Sequence, residues 1–280
     1  MAERAQVRRG TSATGMDHAS WGDGDRTLLF IGGGPGGNVP SGRLSRTTQR
    51  WFEPFTAAGH TVNYVSRRRG MPPDHTVEDI ADDYGRFVRD ELGGRVDLLV
   101  GVSFGGMVAQ HLAARHGDLL GRVAVVAAAA EVSDSGKDVD ARLARAVERG
   151  DRSAVGATFA EYALRGRRWG WLRRLAGPVV GRMLTSGADY PTSDVVVEAQ
   201  AELGFDARAA LPGIRVPVVL LCGDADPFFP ARVVKETAAL VPRCTVQWYP
   251  GRGHLWVASS RTVPPDVLRL VGPEAPMDEA

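Results

Sequence analysis

Apolar runs of five to eight residues alternate with longer segments whose apolar positions recur every three to four residues, between about residue 27 and residue 271. The runs are nearly continuous in apolar character, which is typical of strands buried on both faces of a parallel sheet, whereas the longer segments have the spacing of amphipathic helices. The predicted strands are 27–31, 60–66, 96–102, 122–129, 216–222 and 244–249. The predicted helices are 45–58, 76–92, 104–116, 231–240 and 265–271. This alternation predicts an α/β fold with a mostly parallel sheet flanked by helices.

The alternation is interrupted between residues 131 and 206, where helical patterns dominate. We therefore expect a helical cap or lid, inserted after the strand that ends near residue 129 and lying over the carboxyl edge of the sheet, where ligands bind in such folds. The terminal segments lack comparable patterns, apart from a short edge strand near 13–21. The predicted divisions are a flexible leader, 1–25; a core, 26–130 and 207–272; the cap or lid, 131–206; and a flexible tail, 273–280.

A serine lies at the sharpest predicted junction between a strand and a helix. The segment Gly101-Val102-Ser103-Phe104-Gly105 follows a buried strand and precedes a helix. A turn of this kind lifts the serine hydroxyl above the sheet edge, and the flanking glycines let strand and helix approach closely. The backbone N–H of Phe104 would then point toward the oxyanion of a tetrahedral intermediate. Because the chain contains 34 glycines, the pattern can also arise by chance, so the prediction of a nucleophile depends on partners elsewhere.

A second candidate element is the glycine-rich loop Gly32-Gly33-Gly34-Pro35-Gly36-Gly37, directly after the first predicted core strand. Glycines bring backbone N–H groups close to a ligand, which suits a phosphate or a developing oxyanion. No Gly-Lys-Ser/Thr follows, so the loop is not a Walker loop, and its match to a dinucleotide-binding pattern inside a glycine tract is weak. The alternative is a merely flexible connection.

A serine nucleophile needs a base and a group that orients the base. Asp226 lies just beyond one predicted strand, and His254 lies in the glycine-containing loop after the next, so both fall at the same sheet edge as Ser103. Of the six histidines, His254 alone combines a preceding strand with such a loop, whereas His75 is not excluded by its position. The alternatives are that Asp226 caps the following helix and that His254 is an ordinary loop histidine.

Composition narrows the class of protein. The 280 residues are 44% hydrophobic with a net charge of +1, which suits one large α/β domain and gives no general attraction to nucleic acid. No apolar run is long enough to span a membrane, and residues 1–25 lack the apolar core of a secretory signal, so we expect a cytoplasmic protein, monomer or homodimer. Two cysteines, Cys222 and Cys244, form neither a disulfide framework nor a zinc site, and the sequence indicates no metal and no cofactor.

From about residue 27 to residue 271 the sequence resembles the α/β-hydrolase superfamily, and its glycine-rich loop is similar to the loop of the proline iminopeptidase-like members. In such proteins an acid, a base and a serine act together, and two backbone N–H groups hold the oxyanion. The resemblance implies the following roles: Ser103 as nucleophile, Asp226 as acid, His254 as base, and the backbone of Phe104 and of Gly34, with Gly33 as the alternative to Gly34, as oxyanion donors.

Three features depart from the family pattern. Gly32 stands where the family usually has a histidine that braces the loop, although the N–H donors remain. The segment Ser66-Arg67-Arg68-Arg69-Gly70-Met71 replaces the usual Asp-x-Arg-Gly-x-Gly-x-Ser, which predicts a more basic entrance. Glu131 follows the strand after the nucleophile, where some members place their acid, and it is the alternative to Asp226.

The resemblance and the predicted triad indicate a serine hydrolase that cleaves a carboxylic ester, thioester or lactone of a small, largely apolar acyl substrate through an acyl-enzyme. The substrate pocket is predicted from aromatic residues beside the acid and in the insertion: Phe228, Phe229, Tyr162 and Trp169. Packing within the cap is the alternative role for the insertion residues. Arginines between residues 165 and 174 interleave with tryptophans, a pattern typical of a solvated helix face; the alternatives are an anionic substrate, a carrier protein or a membrane surface.

Two other functions stay open. A proline iminopeptidase-like aminopeptidase would need a carboxylate in the cap to bind the substrate ammonium, and Glu161, Glu198 and Glu202 are candidates. A non-hydrolytic member of the same fold that binds a small ligand would share the architecture without the turnover.

Overall fold

Eight strands form one sheet in the part of the chain that the structure, a computed structural model, describes: residues 7–34, 37–162, 169–185 and 191–272. The strands are β1 (Arg8–Thr11), β2 (Asp17–Trp21), β3 (Arg26–Ile31), β4 (His60–Val65), β5 (Val96–Val102), β6 (Leu120–Val126), β7 (Val218–Gly223) and β8 (Cys244–Tyr249). Their order across the sheet is β1-β2-β4-β3-β5-β6-β7-β8. The pairs β1–β2 and β2–β4 are antiparallel and every other pair is parallel, which confirms the mostly parallel sheet.

Helices cover both faces of this sheet, as the alternating pattern predicts. The helices are α1 (Gly42–Ala57), α2 (Val77–Glu91), α3 (Phe104–Arg115), α4 (Asp134–Glu148), α5 (Arg152–Phe159), α6 (Gly170–Thr185), α7 (Thr192–Leu203), α8 (Ala231–Leu240), α9 (His254–Ser259) and α10 (Val263–Val271). Thr76 begins α2 with a capping box, in which its hydroxyl accepts from the Asp79 N–H and the Asp79 carboxylate accepts from the Thr76 N–H.

The alternation of side chains along each strand divides the hydrophobic core into two layers. On β3, Leu29 and Ile31 face one layer, which includes residues of α2, α3 and α8. Leu28 and Phe30 face the other layer, which includes residues of α1 and α10. Successive side chains of a strand point to opposite faces, so a strand buried on both faces must be apolar at every position. This explains why the central strands appear in the sequence as continuous apolar runs.

The segment between β6 and β7 contains α4, α5, α6 and α7, so the helices expected there are present. They pack as α4 against α7 and α5 against α6. Backbones approach closely in the second pair, because a Cβ on Gly156 would lie 2.0 Å from the Gly177 carbonyl oxygen. We call residues 131–206 the helical insertion; its function as a cap remains a prediction.

The structure differs from the sequence prediction at the N-terminal strands, α1 and α9, and β6 spans Leu120–Val126 rather than 122–129. Residues expected to form a flexible leader with a short strand contribute β1 and β2, and β2 pairs with β4 of the core sheet. Helix α1 begins after Ser41 rather than at Ser45. The six-residue helix α9 was not predicted, because a segment this short carries less than two turns of periodic pattern. The predicted tail, 273–280, lies outside the described residues.

None of the helices within the described ranges is both long enough and apolar enough to cross a bilayer.

We predict that Gly105→Ala destabilises the fold. A Cβ at this position would lie 2.1 Å from the Ile31 carbonyl oxygen, because α3 begins directly against the end of β3. Overpacking of this kind costs about 1–3 kcal/mol of unfolding free energy, which urea denaturation followed by circular dichroism measures. Gly117→Ala is the matched control, since a Cβ there meets no atom within 4 Å. Equal urea concentrations at the midpoint of unfolding for the two variants would contradict the prediction.

Candidate active site

Ser103 occupies a strained turn between β5 and α3. Its backbone has φ 54° and ψ −120°, a region that residues with a Cβ rarely adopt. The Ser103 N–H donates to the Val126 carbonyl of β6 at 2.8 Å, and the Ser103 carbonyl accepts from the Gly106 N–H at 2.8 Å. Hydrogen bonds from both sides of the residue therefore hold this conformation, which directs the hydroxyl away from the sheet and toward the loops at its carboxyl edge.

Three side chains predicted to act together form a continuous chain of hydrogen bonds. The Oγ of Ser103 lies 2.9 Å from the Nε2 of His254, and the Nδ1 of His254 lies 2.8 Å from the Oδ2 of Asp226. Because a carboxylate only accepts, the imidazole proton lies on Nδ1, so Nε2 accepts from the serine hydroxyl. The imidazole is thereby in the tautomer that can take the proton of Ser103.

Backbone and aromatic groups from the turn after β7 fix the acid and the imidazole. The N–H groups of Phe228 and Phe229 donate to the Oδ1 of Asp226 at 2.8 and 3.2 Å, so the other carboxylate oxygen is left to His254. The Phe229 ring stacks on the imidazole with a centroid separation of 5.9 Å, and the Phe228 ring lies 5.0 Å away. His254 is 3% exposed, and its orientation is therefore set by packing as well as by hydrogen bonds.

The predicted oxyanion donors lie beside the serine. Phe104 is the first residue of α3, and the N–H groups of a first helical turn have no partner within the helix and point along the axis toward a ligand. In the glycine-rich loop, a Cβ on Gly33 would lie 2.8 Å from the Cβ of Ser103, so this residue is in contact with the serine. Gly34 follows with φ +69°. Pro35 and Gly36 lie outside the described residues.

A cavity of about 300 Å³ opens above Ser103 and His254. Its walls come from the core and from α4, α5 and α7 of the helical insertion. The residues from the core include Phe30, Gly33, Gly34, Tyr64, Phe104, Leu255 and Ala258, and those from the insertion are Asp140, Leu143, Ala144, Phe159, Val195, Glu198, Ala199 and Glu202. The insertion therefore supplies part of the wall of the cavity that Ser103 also lines.

Carboxyl groups lie among the apolar residues of this wall. Asp140 and Glu198 are each 3% exposed, and Glu202 is hydrogen-bonded to Asp140. Burial raises the pKa of the Glu202 carboxyl well above its usual range, and the neighbouring Asp140 carboxyl raises it further, while Arg67 opposes the shift. Burial and a like charge both disfavour the ionised form of the Glu202 carboxyl. Sequence reasoning missed Asp140, although a carboxyl group on the apolar stripe of an amphipathic helix is a usable signal.

Several predicted pocket residues lie elsewhere. Phe228 and Phe229 are buried against His254 and are not among the described residues of the cavity wall, and the expectation that they bind substrate stays a prediction. Trp169, which is partly buried in the insertion, is likewise not part of the described wall. The side chain of Tyr162 lies outside the described residues.

The alternative acid and the alternative base have partners away from the serine. The Glu131 carboxylate accepts from Lys137 at 3.2 Å and from Arg208 at 2.9 Å, and these cations lower its pKa. The Nε2 of His75 lies 2.8 Å from the Oδ2 of Asp83. The structure therefore brings Asp226 and His254, rather than Glu131 or His75, to Ser103.

Two further sequence expectations concern charge and metals. Of the three arginines after β4, Arg67 is fully buried while Arg68 and Arg69 are partly exposed. No group of three or more His, Cys, Asp or Glu side chains placed to hold a metal ion occurs within the described parts of the chain.

Comparisons with known proteins agree with this architecture. The sequence matches the profile of the Alpha/beta hydrolase family over residues 28–263. It is 31% identical over 152 residues to the Pimeloyl-(acyl-carrier protein) methyl ester esterase of Neisseria meningitidis serogroup C, a match that covers 51% of this chain and 58% of that protein. The chain therefore aligns with less than two thirds of the length of this relative.

Solved structures extend the likeness to nearly the whole chain. A hydrolase from Pseudomonas aeruginosa superposes with a TM-score of 0.73 at 20% identity, and the match covers 96% of this chain and 99% of that one. The enol-lactonase from Burkholderia xenovorans LB400 has a TM-score of 0.69 at 18% identity, with 90% and 94% covered. At these identities the likeness establishes the fold alone.

We predict that Ser103→Gly is more stable than Ser103→Ala. Both variants lose the hydroxyl, but only glycine adopts φ 54° without strain. Relief of about 1–3 kcal/mol of backbone strain exceeds the entropy that glycine adds to the unfolded chain, so the difference in unfolding free energy is about 1 kcal/mol. Chemical denaturation of the two variants measures it. A Ser103→Ala protein as stable as Ser103→Gly would show that the turn is not strained.

We predict that Glu202→Gln weakens the dependence of stability on pH. The folded pKa of Glu202 is raised, so between the ordinary glutamate pKa and the raised value the unfolded chain loses a proton that the folded chain keeps. The contribution of Glu202 to the free energy of unfolding is complete below the ordinary glutamate pKa and is lost as the pH rises through the raised pKa. The parent should therefore lose more thermal stability than the variant between about pH 5 and pH 8. Exposed Glu148→Gln is the control, and equal slopes in parent and Glu202→Gln would contradict the assignment.

Proposed function

Since the chain belongs to the alpha/beta hydrolase family, we propose that it is a serine hydrolase that cleaves a carboxylic ester, or a related thioester or lactone, through an acyl-enzyme on Ser103. The observation that carries the proposal is the continuous hydrogen bonding from the Ser103 hydroxyl through His254 to Asp226. A serine hydroxyl is a weak nucleophile near neutral pH, and this arrangement supplies both the base and the group that stabilises the charged base.

In the acylation step, the Nε2 of His254 takes the proton of Ser103 while Oγ attacks the carbonyl carbon of the substrate. The carbonyl oxygen becomes an oxyanion that accepts hydrogen bonds from the N–H of Phe104 and from the N–H of Gly34, with Gly33 as the alternative donor. Asp226 stabilises the imidazolium that forms. When the tetrahedral intermediate collapses, the bond to the leaving oxygen or sulfur breaks, and His254 returns its proton to that atom.

The deacylation step repeats the chemistry with water. His254 removes a proton from a water molecule that attacks the acyl carbon, and the same two N–H groups hold the second oxyanion. The bond between the carbonyl carbon and the Ser103 oxygen then breaks, and His254 returns the proton to Ser103. The products are a carboxylic acid and the restored serine, so no oxidant, reductant or other co-reactant is needed.

The volume and lining of the cavity support the proposal that the acyl group of the substrate is small. A volume of about 300 Å³ lies at the lower end of the range for small-molecule sites, and Leu143, Phe159 and Val195 contribute apolar surface to it. The names of two similar proteins, the methyl ester esterase and the enol-lactonase, state related bonds: a methyl ester and an enol-lactone. Because one name also states an acyl-carrier-protein substrate, a carrier-bound acyl ester belongs among the substrates to be tested.

A second candidate function is cleavage of an aminoacyl bond. The observation that favours it is that Asp140, Glu198 and Glu202 line the cavity, where a substrate ammonium would find carboxyl groups. Glu161, the other sequence candidate, instead pairs with Arg142 through two hydrogen bonds of 3.0 and 2.8 Å and is not among the described residues of the wall. Comparing aminoacyl arylamides with p-nitrophenyl acyl esters separates the two functions.

We predict that Ser103→Ala abolishes turnover of p-nitrophenyl acetate and butyrate. Loss of the nucleophile should lower kcat by about 10⁴–10⁶-fold, because only binding and oxyanion stabilisation remain. Steady-state kinetics measures the loss, and exposed Ser193→Ala is the matched control. A variant as fast as the parent would exclude Ser103 as the nucleophile.

A fluorophosphonate should label the parent at Ser103 and leave Ser103→Ala unlabelled, as intact-mass measurement detects. An unlabelled parent that also turns over none of the esters, thioesters, lactones and arylamides would favour the non-hydrolytic, ligand-binding alternative.

A further inference from the structure

Arg67, the second residue after the strand β4, is a fully buried cation beside the candidate oxyanion site. Its relative exposure is 0%, and it is the largest side chain buried to this degree among the described residues. A guanidinium removed from water is costly unless charged or polar groups surround it. Its contacts therefore indicate why an arginine is retained there, and the proposed acyl-transfer mechanism assigns it no role.

Two of these contacts are with the glycine-rich loop. The Nη1 of Arg67 donates to the Gly32 carbonyl at 3.0 Å, and Nη2 donates to the Gly34 carbonyl. These carbonyls belong to the peptide groups on either side of the Gly33–Gly34 peptide. That intervening peptide carries the N–H of Gly34, the proposed oxyanion donor. Fixing both flanking peptides fixes the direction of this N–H, in a glycine segment with little intrinsic conformational preference.

A third contact reaches the other half of the oxyanion site. The Cζ of Arg67 lies 4.5 Å from the centroid of the Phe104 ring, a distance typical of a cation–π interaction. Phe104 supplies the second proposed N–H donor from the first turn of α3. One guanidinium therefore contacts both residues whose N–H groups are proposed to bind the oxyanion.

The fourth contact comes from the helical insertion. Glu198 of α7 forms an ion pair with the Nε of Arg67, and Glu198 also lines the cavity. The same helix is attached to the segment after β4 by Asp194, whose carboxylate accepts from the N–H groups of Gly70 and Met71 at 2.8 and 3.0 Å. Helix α7 thus holds the guanidinium mainly through Nε, while the glycine-rich loop holds it through Nη1 and Nη2.

We propose that Arg67 is a positioning residue that orients the Gly34 N–H for the oxyanion, and that Glu198 of the helical insertion holds Arg67 in place. The inference rests on the proposed function, because it assigns a role within that reaction. The competing explanation is that Arg67 only neutralises the buried charge of Glu198. The two explanations differ in what happens when both charges are removed together.

The decisive variants are Arg67→Lys and the double variant Arg67→Met with Glu198→Leu. Lysine keeps the charge but lacks the planar fork that reaches two carbonyls at once. The double variant leaves no buried charge unpaired, so it keeps the fold even if a single substitution does not. Arg115→Lys is the matched control, since Arg115 makes a two-point contact with Asp82 on the surface and lies at the far end of α3 from Ser103.

We expect Arg67→Lys and the double variant to lower kcat for p-nitrophenyl acetate by about 10–100-fold while KM changes by less than about threefold, because displacement of a reacting group by about 1 Å costs about 10²-fold. Affinity for an alkyl trifluoromethyl ketone, which forms a tetrahedral adduct with a serine, should fall by a similar factor. Thermal melting identifies any variant that is not folded. Glu198→Gln should give a smaller loss of kcat, because the carbonyl contacts of Arg67 remain.

A double variant that turns over the ester as fast as the parent would overturn the positioning role and leave charge neutralisation as the explanation. An equal loss of kcat and of trifluoromethyl ketone affinity in Arg115→Lys would also overturn it. A parent that neither reacts with the fluorophosphonate nor hydrolyses any ester would instead overturn the proposed function, so the two failures are distinguishable.

Discussion

The turn at Ser103 is the constraint on which the rest of the site depends. A left-handed backbone at a residue with a Cβ costs about 1–3 kcal/mol and persists only where its surroundings determine it. Here the determinants are the hydrogen bond to Val126 on the adjacent strand and the start of α3 against the end of β3. Ala127 repeats the arrangement one strand further, with φ 50° and its N–H bonded to the Leu221 carbonyl at 2.9 Å. The parallel ladder thus extends beyond the strand ends and holds the loops in register.

The register of the sheet explains how residues distant in the sequence come together. The strands β5, β6, β7 and β8 are adjacent and parallel, so the loops that follow them leave the sheet at one edge. Asp226 lies in the loop after β7, His254 begins α9 after the neighbouring strand β8, and Ser103 follows β5, which lies two strands from β7. Asp226 and His254 are buried away from water. The Asp226 carboxylate accepts hydrogen bonds from Phe228 and His254, and the His254 ring also packs against Phe229. Buried polar groups satisfied in this way have a single well-defined geometry.

The helical insertion contributes a chemically mixed wall to the cavity. Its helices α4 and α7 contribute apolar residues and the carboxyl groups of Asp140, Glu198 and Glu202 to the cavity lining. One of these carboxyls is paired with Arg67, and another shares a hydrogen bond with its neighbour. The cavity is therefore not a simple apolar slot, because buried carboxyl groups lie among its apolar lining residues.

The sequence alone determined the elements whose signals are local. The bounds of β5, β8 and α8 agree with the predicted ranges, and the capping box of α2 is present, because continuous apolar runs and capping residues act over a few positions. The glycines around Ser103 and the order of strand, acid and histidine are likewise evident in the amino-acid sequence itself. Only the tertiary structure decided the partners that packing selects: Arg67 meets Glu198 across 131 residues, and the strand predicted at the edge near 13–21 lies inside the sheet as β2, between β1 and β4. No pattern in the neighbouring sequence predicts either contact, because each depends on how segments distant in the sequence fit together. The same is true of Phe228 and Phe229, which pack against the imidazole and are not among the described residues that line the cavity.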